Sequence, residues 1–99
     1  MITTPITFAA SANCALYCGA RPVFADIDDK TYNIDPKSVE QCVTEKTKAV
    51  VAVDYTGQST DLKALRKICD KYGLILITDG AHSIGTCYDG KATGSIADM

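Results

Sequence analysis

The chain alternates between helical segments and short apolar runs. The clearest helix, Leu62–Tyr72, places its apolar residues three and four positions apart on one face, with Asp61 before it and Gly73 after it. Ala49–Val53 and residues 74–77 are continuous apolar runs without polar alternation. Such runs predict strands that are covered on both faces, as in a parallel sheet.

The other segments extend this alternation along the whole chain. Residues 8–18 are small and apolar on every side, which predicts a buried helix ended by Gly19 in a left-handed conformation. The remaining predicted elements are a strand at residues 22–25, a helix beginning at Asp35-Pro36, and a hairpin of residues 86–88 and 91–93 around Asp89-Gly90. The order predicts an α/β fold of three αβα layers with a mostly parallel sheet.

The length of the chain conflicts with the amount of apolar surface that this fold must cover. The chain has 99 residues, of which 46% are hydrophobic, yet only three helices are available to cover the strands. We therefore expect residues 1–99 to form a single partial domain of a larger α/β protein, or a subunit of an obligate assembly. An independent flavodoxin-like domain is less favoured, because that fold has about five strands.

Charge and cysteine usage exclude several classes of function. Ten basic and twelve acidic residues are scattered along the chain and give a net charge of −2, which argues against nucleic acid and membrane partners. The uncharged residues 1–20 lack a basic start and contain Pro5, so we do not expect a targeting segment. Five cysteines without a Cys-x-x-Cys pair predict buried thiols in a reducing, cytoplasmic protein.

Asp79 is the leading candidate for chemistry. An apolar strand runs into it, and ligands of open α/β sheets bind at the carboxyl ends of the strands. A carboxylate there caps the turn into Gly80-Ala81, binds a metal, or holds the protonated ring nitrogen of pyridoxal phosphate. His82 faces the same crevice or is a structural histidine, and a metal site is not expected, because no second nearby carboxylate joins these two residues.

Short motifs along the whole chain resemble those of one enzyme family. The motifs resemble, in order, those of the DegT/DnrJ/StrS family of sugar-nucleotide aminotransferases: residues 2–8, 9–13, 19–27, 32–36, 44–49, 53–58, 78–82 and 94–99. Members of that family are pyridoxal-phosphate enzymes with the aspartate-aminotransferase fold. The resemblance implies that the chain is the central part of the large, cofactor-binding domain.

The resemblance also implies roles for individual residues. Asp79 matches the aspartate that pairs with the pyridinium nitrogen, and His82 matches a position beside the cofactor. Phe8 matches the aromatic residue that stacks on the cofactor ring, although core packing explains its position equally well. Gly80 and Thr78 depart from the family pattern, so the detailed shape of the pocket is open.

Asp54 and Tyr55 resemble one branch of the family. That branch aminates C4 of a UDP-linked 4-keto-6-deoxy-N-acetylhexosamine, as in pseudaminic acid biosynthesis. Alternatively, the two residues only end a strand and pack. The resemblance further implies a nucleotide-sugar substrate, an amino donor such as glutamate, and a homodimer, whereas the residues that bind the substrate are not assigned.

The lysine that binds the cofactor covalently in this family has no counterpart here. It follows the Gly94–Met99 motif, and none of the eight lysines present matches it. The phosphate-binding turn of the family precedes the position of Met1. We therefore expect no catalytic residue in the chain and no activity of the chain alone. Two alternatives are a noncatalytic module that binds a partner or self-associates, and an unrelated small α/β domain.

Overall fold

The computed structural model describes residues 1–99 and contains a central sheet of four parallel strands. The strands are β1 (Ile2–Thr3), β2 (Val23–Phe24), β3 (Ala49–Val53) and β4 (Ile75–Asp79). Their order in the sheet is β2-β1-β3-β4. Strands β3 and β4 pair over their full length, from Ala49 with Ile75 to Val53 with Asp79. The carboxyl ends of these two strands therefore meet at one edge of the sheet.

Three α-helices and a hairpin complete the fold. The helices are α1 (Ala10–Tyr17), α2 (Pro36–Cys42) and α3 (Leu62–Tyr72), and the hairpin strands are β5 (Cys87–Tyr88) and β6 (Lys91–Ala92). As predicted, Asp35 caps α2 by accepting a hydrogen bond from the Lys37 amide. Asp61 caps α3 in the same way, and Gly73 ends α3 with a φ of 64°.

Alternate residues of the sheet face two different helical layers. Val50, Ala52 and Leu76 are 0% exposed and belong to the main core. That core also contains residues of α2 and α3, including Val39 and Leu65. The opposite face of the sheet carries α1, whose residues border a cavity together with Ala49 and Ile77. The predicted αβα layers on a mostly parallel sheet are therefore confirmed.

Two predictions of complete burial were wrong. Only Ser11 and Ala15 of α1 are buried, whereas Leu16 and Tyr17 are 56% and 84% exposed. In β4, Ile75 is 44% exposed and Ile77 is only half-buried, so the face of that strand toward α1 is incompletely covered. The physical reason is that α1 is the only helix on its side of the sheet and contacts it with one face. The prediction for β3 was correct, because Val50 to Val53 are all buried.

The cysteine prediction was also largely wrong, because only Cys69 is buried. Cys42 is half-buried, and the other three are exposed: Cys14, Cys18 and Cys87. Cys14 and Cys18 border the open cavity between α1 and the sheet, and Cys87 lies in the surface hairpin. None of the α-helices combines the length and the apolar character needed to cross a membrane.

Sequence reasoning missed strand β1. Its two residues pair with β2 on one side and with β3 on the other, which places it inside the sheet. The run of β-branched residues at positions 2–4 is the signal that predicts it. Because β1 leads into residues 5–8, this strand delivers part of the site described next.

Candidate functional site

Three neighbouring strands deliver residues to one cavity at the carboxyl edge of the sheet. The cavity has a volume of about 420 Å³. It is lined by residues 5–8 after β1, residues 53–55 at the end of β3, and Asp79, Ala81 and His82 at the end of β4. The structure therefore brings together the three residues predicted from the sequence, Phe8, Asp79 and His82. Their proximity follows from the shared direction of parallel strands.

Asp79 is the last residue of β4, and both of its carboxylate oxygens accept hydrogen bonds. Oδ1 accepts a hydrogen bond from the Ala81 amide at 3.3 Å, which is the predicted cap of the following turn. Oδ2 accepts a hydrogen bond from Ser11 Oγ at 2.7 Å, so the carboxylate is also tied to α1. The turn-capping interpretation is therefore correct but incomplete, because Asp79 also lines the cavity.

Phe8 lies beside this cavity with most of its surface free. It is 81% exposed and follows β1 in the segment that leads into α1. The alternative that Phe8 serves only as a core residue was wrong, since a core aromatic ring is largely buried. An exposed ring at the border of a cavity offers its face to a planar ligand.

His82 reaches the cavity from a tight turn rather than from a helix. The Ser83 amide donates to the Gly80 carbonyl at 3.0 Å, which closes the turn, and His82 itself is exposed. The 3-10 helix Tyr55–Gly57 packs closely against this turn. A Cβ atom on Gly57 would lie 2.8 Å from the His82 carbonyl oxygen, and the φ of Gly57 is +89°. Only glycine satisfies both conditions at position 57.

Asp54 supports the site from below and is fully buried. Its carboxylate accepts hydrogen bonds from the Thr60 amide at 2.8 Å and from Ser83 Oγ at 2.7 Å. The Asp54 amide donates to the Asp79 carbonyl at 3.1 Å. Asp54 is thus a structural residue at the end of β3, as one of the two predicted alternatives stated, and it anchors the turn that carries His82.

Tyr55 differs from Asp54 because it is only partly buried and lines the cavity. Its amide donates a hydrogen bond to Asn33 Oδ1 at 2.9 Å, which joins the β3 end to the loop before α2. The ring of Tyr32 lies 6.3 Å from the Tyr55 ring at an interplanar angle of 48°. Tyr55 therefore contributes an aromatic wall to the cavity in addition to ending the strand.

Sequence reasoning missed the serines that hold the two carboxylates. Ser11 contacts Asp79 across 68 positions, and Ser83 contacts Asp54 across 29 positions. No local spacing pattern indicates such pairs, because the fold alone brings their segments together. The alternation of apolar and small residues in α1 gave no reason to assign a polar role to Ser11.

Together, these features define an α/β domain with a candidate ligand site at the carboxyl edge of a parallel sheet. A family model for the DegT/DnrJ/EryC1/StrS aminotransferase family matches residues 1–99. The chain therefore belongs to this aminotransferase family, as the motifs predicted.

Two relatives of the chain are named for polysaccharide biosynthesis and for a sugar-nucleotide transaminase. The chain is 47% identical over 98 residues to the spore coat polysaccharide biosynthesis protein SpsC of Bacillus subtilis, covering 99% of this chain and 25% of that protein. It is 42% identical over 97 residues to the UDP-4-amino-4,6-dideoxy-N-acetyl-beta-L-altrosamine transaminase of Helicobacter pylori, covering 98% of this chain and 26% of that protein. The predicted relationship to this transaminase is confirmed.

A solved structure confirms the fold. The chain superimposes on Helicobacter pylori PseC, an aminotransferase involved in the biosynthesis of pseudoaminic acid, with a TM-score of 0.92 and 43% identity. The match covers 97% of this chain and 26% of that chain. The chain thus spans about a quarter of the length of the proteins that it matches.

The cavity fits part of the cofactor that the family implies. The Asp79 carboxylate offers an acceptor to a protonated ring nitrogen, and Phe8 offers an aromatic face. None of the ten lining residues is a lysine or arginine, and none therefore offers a charged partner to a phosphate group. The residues present fit the ring of pyridoxal phosphate, whereas its phosphate needs contacts from elsewhere.

Proposed function

We propose that residues 1–99 are the central part of the large domain of a pyridoxal-phosphate-dependent aminotransferase that acts on a keto-sugar nucleotide. The observation that carries this proposal is the tethered Asp79 carboxylate, which shares a cavity with the exposed ring of Phe8. Membership of the aminotransferase family and the names of the sugar-modifying relatives support it. The amino donor that we propose is glutamate.

The proposed work of this segment is to bind and polarise the cofactor ring. Asp79 would accept a hydrogen bond from the ring N–H and keep that nitrogen protonated, while Phe8 would pack against the face of the ring. His82, in the turn after β4, would be a further residue beside the ring. When bound, the cofactor supplies an electron sink for the carbanion that forms as the amino donor loses its α-proton.

Two essential parts of this chemistry must come from outside the segment. No lysine lines the cavity, so none is placed to bond the cofactor covalently. The phosphate likewise lacks a cationic partner among the lining residues. We therefore propose that the 99-residue chain by itself has no aminotransferase activity and that its residues function within a longer, homodimeric, cytoplasmic protein.

For the substrate, we propose a UDP-linked 4-keto-6-deoxy-N-acetylhexosamine that is aminated at C4. The relationship to the Helicobacter pylori transaminase supports this assignment. Tyr55 lines the cavity, and its ring provides an apolar surface beside the proposed position of the cofactor. A screen of nucleotide-linked keto sugars that differ in the base and in the position of the keto group tests the assignment.

The first experiment replaces Asp79 in the longer protein that the proposal implies. Sequencing the DNA on both sides of the segment should reveal, in frame, a phosphate-turn motif upstream and a lysine segment downstream. In that protein, Asp79→Ala should abolish the absorbance change that glutamate produces in the cofactor, with an unchanged far-UV circular dichroism spectrum. Asp29→Ala is the matched control, because Asp29 is exposed and makes no side-chain hydrogen bond. Full turnover by Asp79→Ala would disprove the assignment.

A second candidate function is a noncatalytic module that self-associates. The observation in its favour is the side of the molecule that carries α1, where Leu16 and Tyr17 of the helix and Ile75 of β4 are exposed. Sedimentation of the 99-residue chain over a hundredfold dilution tests this candidate. A monodisperse oligomer that resists dilution would support it, whereas aggregation would favour the aminotransferase segment, which then lacks its covering helices.

A further inference from the structure

We propose that Ser11 is the positioning residue of the site and that it orients the Asp79 carboxylate through a directed chain of two hydroxyl groups. This inference rests on the proposed function of Asp79. The chain runs from Thr7 Oγ1 to Ser11 Oγ and on to Asp79 Oδ2, and both of its hydrogen bonds are 2.7 Å long. Such short lengths are typical of strong O–H···O hydrogen bonds.

The hydrogen bond from Ser11 is built into the fold rather than made at the surface. Ser11 is 5% exposed and lies in the first turn of α1, whereas Asp79 ends β4 on the sheet. Their contact is the one side-chain hydrogen bond that joins α1 to β4. Because Ser11 is nearly excluded from solvent, water does not readily replace it as the donor to Asp79.

The direction of both hydrogen bonds follows from the number of protons that each group can donate. An ionised carboxylate only accepts hydrogen bonds, so Ser11 must donate its single hydroxyl proton to Asp79. Ser11 then has no proton left for Thr7 and can only accept from it, which makes Thr7 the donor of the outer bond. Successive bonds of the same direction polarise each other and strengthen the hold on the carboxylate.

This arrangement leaves acceptor capacity for a ligand while it prevents rotation of the carboxylate. Ser11 binds Oδ2, the Ala81 amide binds Oδ1, and each oxygen keeps a further lone pair. Asp79 lines the cavity, so a ring N–H that enters it meets an acceptor already fixed in orientation. Such fixed orientation lowers the entropic cost of binding. Without Ser11, only the longer 3.3 Å bond from Ala81 restrains the group.

The test measures binding of pyridoxamine 5′-phosphate, which needs no lysine, to the longer protein that the proposed function implies, by isothermal titration calorimetry of the cofactor-free form. We expect Ser11→Ala to weaken binding about tenfold, the usual loss for one hydrogen bond to a charged group. Ser11→Thr, which keeps the hydroxyl, should stay within about twofold of wild type. The matched control is Ser95→Ala, which removes a hydroxyl bonded to the Ala92 carbonyl in an exposed loop.

A second readout needs no ligand. The ¹³Cγ chemical shift of Asp79 should move in Ser11→Ala and stay in place in Ser11→Thr and Ser95→Ala. If Ser11→Ala does not fold, Thr7→Val interrupts the chain one bond further out and should weaken binding about threefold. Wild-type affinity in these variants, or equal losses of affinity in Ser11→Ala and Ser11→Thr, would contradict the positioning role of Ser11. These results would leave the proposed function of Asp79 unaffected. Absence of binding to wild type, or unchanged binding to Asp79→Asn, would instead overturn the proposed function.

Discussion

Replacement of Asp54 offers the sharpest test of how the site is supported. This carboxylate is completely buried, and no cation approaches it, so its charge is balanced only by the Thr60 amide and the Ser83 hydroxyl. We expect Asp54→Ala to destabilise the folded chain and to release the turn that carries His82. Asp54→Asn keeps one acceptor and should be much milder.

The magnitude follows from the number of donors that each variant leaves unpaired. A hydrogen bond to a charged group contributes about 1.5–3 kcal/mol, and an orphaned buried donor costs a similar amount. In Asp54→Ala the Thr60 amide loses its acceptor, whereas Ser83 Oγ still has the Gly80 carbonyl at 3.3 Å. Asp54→Ala also removes a buried charge together with its desolvation penalty, which offsets part of the loss of stability. The net decrease in the free energy of unfolding is therefore about 2–3 kcal/mol for Asp54→Ala.

Asp54→Asn differs because its amide can serve both neighbours. Its oxygen accepts from the Thr60 amide, and its NH₂ group donates to Ser83 Oγ, whose proton then turns to the Gly80 carbonyl. Only the charge assistance of the two bonds is lost, which costs about 1 kcal/mol. Asp29→Asn is the control, because this exposed side chain makes no hydrogen bond.

Urea unfolding monitored by circular dichroism measures these differences, and amide hydrogen exchange reports on the turn. The exchange of the His82 and Ser83 amides should accelerate in Asp54→Ala more than that of the α3 amides. Stability of Asp54→Ala equal to that of wild type would show that the hydrogen bonds of Asp54 do not stabilise the folded chain. A larger loss of stability for Asn than for Ala would contradict the predicted order, since Asn retains the acceptor that Ala lacks.

Two further predictions concern groups away from the site. Burial raises the pKa of the Cys69 thiol, so in the native chain a disulfide reagent should modify Cys69 last, after the three exposed cysteines: Cys14, Cys18 and Cys87. Equal rates for all cysteines would contradict the burial of Cys69. Hydrogen bonds from Arg66 and the Leu76 amide lower the pKa of Asp98 below 3.8, so its stabilising effect is complete above that pH and disappears as the pH falls through the lowered value. Asp98→Asn should therefore flatten the acid limb of the stability curve, and an unchanged limb would show that this contact does not stabilise the chain.

Helices and strands were predicted correctly where the signal lies within the segment itself. Helix α3 has both a strong apolar face and end signals at Asp61 and Gly73, and all three were correct. Strand β1 was missed because two residues carry little periodicity of their own. Its place inside the sheet comes from pairing with β2 and β3, which lie far away along the chain.

Burial was predicted less well than secondary structure, because burial depends on neighbours. The apolar sequence of α1 predicts a helix correctly, yet Leu16 and Tyr17 are exposed where no second helix covers them. The same reason explains the exposed Ile75 in β4, whereas Cys14 and Cys18 are exposed because they border an open cavity between α1 and the sheet. A pattern shows that a segment is able to be buried, whereas the surrounding chain decides whether it is.

Residue types and spacings were enough to predict that Asp79 ends a parallel strand, that the chain is α/β, and that its motifs belong to an aminotransferase family. These properties depend on residue types and spacings that lie close together along the chain. The exposure of Phe8 beside the cavity, and the contacts of Ser11 and Ser83 with the two carboxylates, follow instead from how distant segments pack. Hydrogen bonds across tens of residues require the packed sheet and helices, because local patterns do not specify which distant side chains meet.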